Sequence, residues 1–393
     1  MPSKKILVIS PTPSHPQDAG NKARIYSLLL NLREMGHELY FVHIQQTPGD
    51  KVSMQRCWGE KHFYSIPYKK PKTADKKNFQ RLDRKIIRKI QSFVCSDPLY
   101  TYSIDDWYDD SINEILINLS KKIEPDIVIV EYVFCSKALE CFDSNVVKLI
   151  DTHDIFADRY KVYQKNKQSP QWYSTTKKQE NKGLNRADIV LAIQEKEAKV
   201  FSQRLTNTKV VTVGHLLELH QNTSPKTNNN ILFVGSKNPI NVHGINYFIQ
   251  TIFPQIKTKF PDLQLILAGD ICDKVDSFDG CLKLGRVENL KDAYDLVKLV
   301  ISPIFFGTGL KIKNIEALSY SKALVTTPGG AEGLENGANK AFLVANNSTE
   351  FVNCITKVFA NDVFYENLSR SAYDFAKEWN RNCFQVLIEA IES

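Results

Sequence analysis

The sequence predicts an α/β protein built from two doubly wound parallel-sheet domains. Three observations predict it. The chain has 393 residues, too long for one ordinary core. It opens on a strand–loop–helix–strand pattern. The same pattern restarts after a polar, turn-rich stretch, "QNTSPKTNNN" at 221–230, which reads as a linker.

In the first half, "KILVIS" (5–10) is a buried strand. The loop "PTPSHPQDAGN" leads into an amphipathic helix, "KARIYSLLLNLREMG", stopped by Gly36. "HELYFVHI" is the next strand. "PDIVIVEY" (125–132), "VVKLIDTHD" (146–154), "ADIVLAI" (187–193) and "VVTVGH" (210–215) continue the series. In the second half the strands are "ILFVGS" (231–236), "LQLILAGD" (263–270), "CLKLGRV" (281–287), "LVISPI" (299–304), "ALVTTP" (323–328) and "AFLVA" (341–345). "INYFIQTIFPQIKTKFP" is a helix kinked or broken at Pro254. The expected domains are 1–220 and 231–375, with a helix over 376–393 that returns to the first domain.

Apolar content of 42%, charged content of 24% and a net charge of +7 are those of an ordinary soluble protein. The eight cysteines form no C-x-x-C pair and no zinc spacing, so free thiols in a reducing cytoplasm are expected. No leader and no membrane span is expected from the apolar runs. Within residues 61–91, the stretch Lys69 to Lys89 carries ten Lys or Arg against two Asp. With Ile86, Ile87, Ile90 and Phe93 it reads either as a segment for an anionic membrane surface or as a solvated basic face. Nucleic acid is not expected, because no reading motif accompanies the charge.

The strongest chemical signal is "GTGLKIKNIEAL" (307–318). It joins a buried strand to a helix. Glycine there permits positive φ and close approach of N–H groups to a ligand. The helix start favours anions, and Lys311 and Lys313 add charge. Glu316 lies one to two turns further in, where a carboxylate suits ribose hydroxyls. The segment is a phosphate cradle or an ordinary loop with solvated lysines. Gly329 and Gly330 follow the next strand at the same sheet edge, which favours the cradle. Gly20 and Asn21 open the first helix on the matching edge of the first domain. "DTHD" puts Asp151, His153 and Asp154 at a strand end, where a histidine suits a sugar hydroxyl or a leaving phosphate. "GSKNPINVHGI" offers Lys237 as a phosphate contact and, more weakly, His243. No G-x-G-x-x-G, no G-x-S-x-G and no P-loop is present, and no octahedral oxygen set suggests a metal.

These residues carry a resemblance. The chain resembles GT-B glycosyltransferases of the retaining family-4 type over nearly its whole length. The resemblance rests on "DAGNKARIYSLLLNLREMGHEL", "RADIVLAIQEKEAKVF" and "NILFVGSKNPINVHGINYFIQTIFPQI", and most of all on "GTGLKIKNIEALSYSKALVTTPGGAEGL". It implies two Rossmann-like domains facing a central cleft. It also implies a nucleoside-diphosphate sugar held mainly by the second, and a glycan or lipid-linked acceptor by the first. The implied donor-binding set is Gly20, Asn21, Ser236, Thr308, Gly309, Leu310 and Glu316, and the implied catalytic set is His153, Lys311 and Lys237. No cofactor or metal is expected. Thr308 stands where many members carry the first glutamate of E-x7-E, and Ser236 or Lys237 and His243 stand where many carry arginine and lysine. The expected activity is retaining sugar transfer in bacterial polysaccharide or cell-envelope glycan synthesis. It would be cytoplasmic or peripheral on the inner face of the plasma membrane. A nucleotide-sugar epimerase and a non-catalytic partner subunit on the same fold are the alternatives.

Overall fold

Apolar β-branched runs form the strands because both faces of a parallel sheet are covered. In the computed structural model, residues 2–74, 100–221 and 229–393 are described. Residues 75–99, which hold most of the basic segment, lie outside that set.

The first sheet contains β1 (Lys5–Ser10), β2 (Glu38–Ile44), β3 (Phe63–Ile66), β4 (Ile127–Glu131), β5 (Val147–Asp151), β6 (Ile189–Ala192) and β7 (Lys209–Thr212). Its seven strands run in the order β3-β2-β1-β4-β5-β6-β7, and every pairing is parallel. Helix α1 (Gly20–Glu34) connects β1 to β2 and buries Arg24, Ile25, Leu28, Leu29 and Leu32. The strand order reverses at β1, so the loops after β1 and β4 diverge there, the usual place for a ligand in such sheets. Strand β3 was not foreseen. It is four residues long and buries only Phe63 and Ile66, too short a pattern to stand out beside a basic run.

The second sheet contains β8 (Ile231–Val234), β9 (Leu265–Ala268), β10 (Cys281–Gly285), β11 (Leu299–Ser302), β12 (Ala323–Thr326) and β13 (Leu343–Val344). Its order is β10-β9-β8-β11-β12-β13, again parallel. Three expectations change in detail. The last strand shrinks to two residues because only Leu343 and Val344 pair with β12. The helix expected to break at Pro254 divides one turn earlier. Helix α2 (Pro239–Tyr247) passes through a wide π turn at Phe248–Ile252 into α3 (Phe253–Lys259), with Pro254 in its first turn, where no N–H is needed. The final helix starts well before residue 376. After α4 (Ile312–Ser319), which follows β11, the chain ends in α5 (Asp362–Glu392), a helix of 31 residues without Gly or Pro. Asn361 accepts from the Phe364 amide at 2.9 Å at its start.

Contacts divide the chain into two compact units. One is Met1–Gln17, Asn21–Val213 and Val386–Ser393; the other is Asp18–Gly20 and Gly214–Gln385. Each has its own core. Among the described residues no helix is long and apolar enough to cross a membrane.

Candidate active site

In the second unit, three loops gather at the carboxyl ends of β8, β11 and β12. After β8, Asn238 caps α2 by accepting from the Asn241 amide at 2.8 Å, and Pro239 fills the first turn. Ser236 Oγ accepts from Asn238 Nδ2 at 3.1 Å, and Lys237 lies exposed, 3.4 Å from Asp273. After β11, the loop turns with φ of +131° at Gly307 and +74° at Gly309. A side chain is strained at both angles, which explains both glycines. A β-carbon on Gly307 would stand 3.2 Å from Ile240 of α2, so the first two loops are neighbours. After β12, a β-carbon on Gly329 would stand 2.7 Å from the Ile304 carbonyl, so this loop presses on the second. Asn314 of α4 fixes it further by donating to the Gly330 carbonyl at 2.7 Å.

This brings Ser236, Lys237, Thr308, Gly309, Leu310 and Lys311 to one edge. Helix α4 starts at Ile312 with no side-chain cap, leaving its first amides to other acceptors. Lys311 folds back on its loop and donates to the carbonyls of Gly309 and Thr308, with Glu332 at 3.9 Å. Glu316 lies one turn into α4, its side chain 17% exposed and 3.6 Å from His215 Nε2. His215 is buried and fixed from α5: Trp379 Nε1 donates to its carbonyl at 2.9 Å, and Asn380 bonds both ways with Leu217. The sequence reading missed His215, because its partner is about a hundred residues away. In the sequence Lys313 reads as a charge for a bound anion or for solvent. Its ammonium instead points inward to Phe233 and Asn241, and burial pushes its pKa down to about 7. His243 stays exposed beside Phe305 and Phe306.

In the first unit the edge is made of buried charges. Asn21 Nδ2 donates to the Tyr132 hydroxyl at 2.9 Å. One turn on, Arg24 grips both oxygens of Asp151 at 2.8 and 2.7 Å and also donates to the Val213 carbonyl. His153, at φ +60°, stacks on Tyr132 with centroids 4.1 Å apart. Its Nε2 is hydrogen-bonded to Glu131 Oε2 at 2.5 Å, with Asp151 at 3.8 Å. Burial, and then the charge of Asp151, pushes the Glu131 carboxyl well above the usual range. Glu131 and Arg24 were not singled out in the sequence. A glutamate closing the apolar run "IVIVE" and an arginine inside the apolar stripe of α1 were the available signals. Glu131, Asp151 and His153 place three ligand atoms within 4.8 Å of one another, a spacing a metal ion could use. Arg24 already neutralises Asp151 there.

Residues 228–361 match the model of the family described as glycosyl transferases group 1. That match lies within the second unit. Solved structures extend the likeness to the whole chain. TarM, from S. aureus, superposes with a TM-score of 0.67 at 12% identity, covering 99% of each chain. Sucrose-phosphate synthase from Thermosynechococcus elongatus gives 0.67 at 14%, covering 99% of this chain and 98% of that one. The pneumococcal O-GlcNAc transferase GtfA, solved with UDP and GlcNAc, gives 0.67 at 10%, covering 100% and 99%. At such identities the likeness shows the fold, which is GT-B. A curated relative, an uncharacterized 44.6 kDa protein in the cps region of Klebsiella pneumoniae, is 26% identical over 164 residues. That match takes in 38% of this chain and 42% of that protein, so it spans under half of the relative's length.

Proposed function

We propose that this group 1 glycosyl transferase moves a sugar from a nucleoside-diphosphate donor to a glycan or lipid-linked acceptor, with retention at the anomeric carbon. One observation carries the reading. Within the second unit, the loops after β8 and β11 sit side by side at the start of α4, with the Glu316 carboxylate one turn deeper. That spacing suits a diphosphate on amides and lysines and a ribose on Glu316. UDP in the GtfA structure supports the same donor class.

In this reading Lys311 exchanges its loop carbonyls for the leaving diphosphate, and Lys237 exchanges Asp273. Their charges and the first amides of α4 offset the developing negative charge, so no metal is required. The leaving phosphate accepts the acceptor's proton as the new glycosidic bond forms. His153, oriented by Glu131, contacts the transferred sugar. Thr308 replaces a carboxylate, so the sugar is held with one anion fewer. A place in bacterial polysaccharide or cell-envelope glycan synthesis suits the cps-region relative. Attraction of residues 61–91 to an anionic inner membrane surface would bring a lipid-linked acceptor close.

Calorimetry with UDP, GDP, ADP, dTDP and their sugar conjugates, with and without chelator, tests the proposal. Tight binding of one diphosphate, unchanged by chelator, is the expected result. Folded protein that binds none of them would overturn it.

A further inference from the structure

The donor reading gives no role to the enclosed ammonium of Lys313. Lys313 is the second residue of α4. The residue keeps a partly exposed surface, but its ammonium is surrounded by protein. The nitrogen lies 4.2 Å from the Phe233 ring centroid and 2.9 Å from Asn241 Oδ1. The other end of that amide donates to the Ser236 carbonyl at 2.9 Å. One ammonium therefore supports the start of α4 directly and the loop after β8 through a single side chain.

Among the described residues no ion pair is made by Lys313. Strand β8 contributes Phe233, α2 contributes Asn241, and the glycine loop contributes Lys311, itself beside Glu332. Lys237 and Asp273 face each other on the exposed side of the β8 loop. No carboxylate pairs with Lys313 among the described residues. An aromatic face and an amide oxygen only partly replace water around an ammonium. Burial, and then the charge of Lys311, lowers its pKa to about 7. An enclosed cation without an anion is costly, and the cost falls when an anion arrives nearby.

We propose that Lys313 is a positioning residue beneath both phosphate-facing loops, and that a nucleoside diphosphate binding over them draws a proton onto its nitrogen. The inference rests on the donor reading above. One solvent proton adds to the lone pair on Nζ, and no bond of the nucleotide changes. The sign follows from the added anion. It raises the pKa of Lys313, so the complex holds more protons than the free protein between the two values. Affinity then falls as pH rises through that window.

The test is calorimetry of the full chain with UDP, GDP and ADP at about pH 8, in HEPES and in Tris, whose ionisation heats differ. The expected result is net proton uptake with whichever nucleotide binds. Lys313→Arg, permanently charged, should keep affinity within about threefold and lose the uptake. Lys313→Met should lose the uptake and bind about tenfold more weakly. Equal heats in the two buffers with wild-type protein would overturn the inference and leave the donor reading standing. Uptake that persists in Lys313→Arg would do the same. Absence of binding by every nucleotide would overturn both. The wild-type and arginine measurements decide the matter even if the methionine variant fails to fold.

Discussion

The two sheets present their carboxyl edges in opposite ways. The edge of the first is lined by buried ionisable side chains that bond to one another: Arg24 to Asp151, and His153 to Glu131. The edge of the second is lined by backbone turns, and its charges are only loosely engaged. Lys311 leans on its own carbonyls, Glu316 stands 3.6 Å from His215, and Lys313 has an amide in place of an anion. A paired network rigidifies an edge, and its removal costs folding. A loosely engaged edge leaves charge available to a ligand, and its removal costs binding.

That contrast breaks most easily at Arg24. Arg24→Met leaves the Asp151 carboxylate buried beside Glu131, and about 3–5 kcal/mol of stability should be lost. Thermal and urea unfolding would show it; an unchanged midpoint would mean that the first edge is not held by its charges. Lys311→Ala should leave unfolding unchanged and cut turnover about a hundredfold, while binding of a nucleoside monophosphate barely moves. A large fall in melting temperature would erase the distinction between the edges. Glu316→Gln should weaken nucleoside diphosphate binding by about 2 kcal/mol, measured by calorimetry at constant fold. Unchanged affinity would remove the ribose role. Gly309→Ala places a β-carbon at φ +74° and should cost about 1 kcal/mol, with the effect seen in donor affinity as the loop shifts. The smallest effect is expected outside both edges. Neutralising lysines and arginines between Lys76 and Lys89 should reduce binding to phosphatidylserine vesicles and leave donor hydrolysis intact; equal vesicle binding would leave that segment a solvated face.

Much of this was legible in the sequence. Apolar runs of β-branched residues between glycine-bearing turns marked most of the strands, because buried parallel strands have few other solutions. Gly307 and Gly309 read correctly as positive-φ positions, and Glu316 as a carboxylate one turn into a helix. Local chemistry fixes such features within a few residues. What spacing alone hid were relations between distant segments. Nothing near His215 says that it will face Glu316, and nothing near Glu131 names His153 as its partner. Lys313 shows the limit most clearly. In the sequence it reads, with Lys311, as charge for an anion or for solvent. Only the packing of α4 against Phe233 and Asn241 encloses its ammonium. Strand and turn identity follow from short-range sterics and burial periodicity, which a sequence carries. The state of a charge depends on which atoms surround it in three dimensions, and only the tertiary structure decided that.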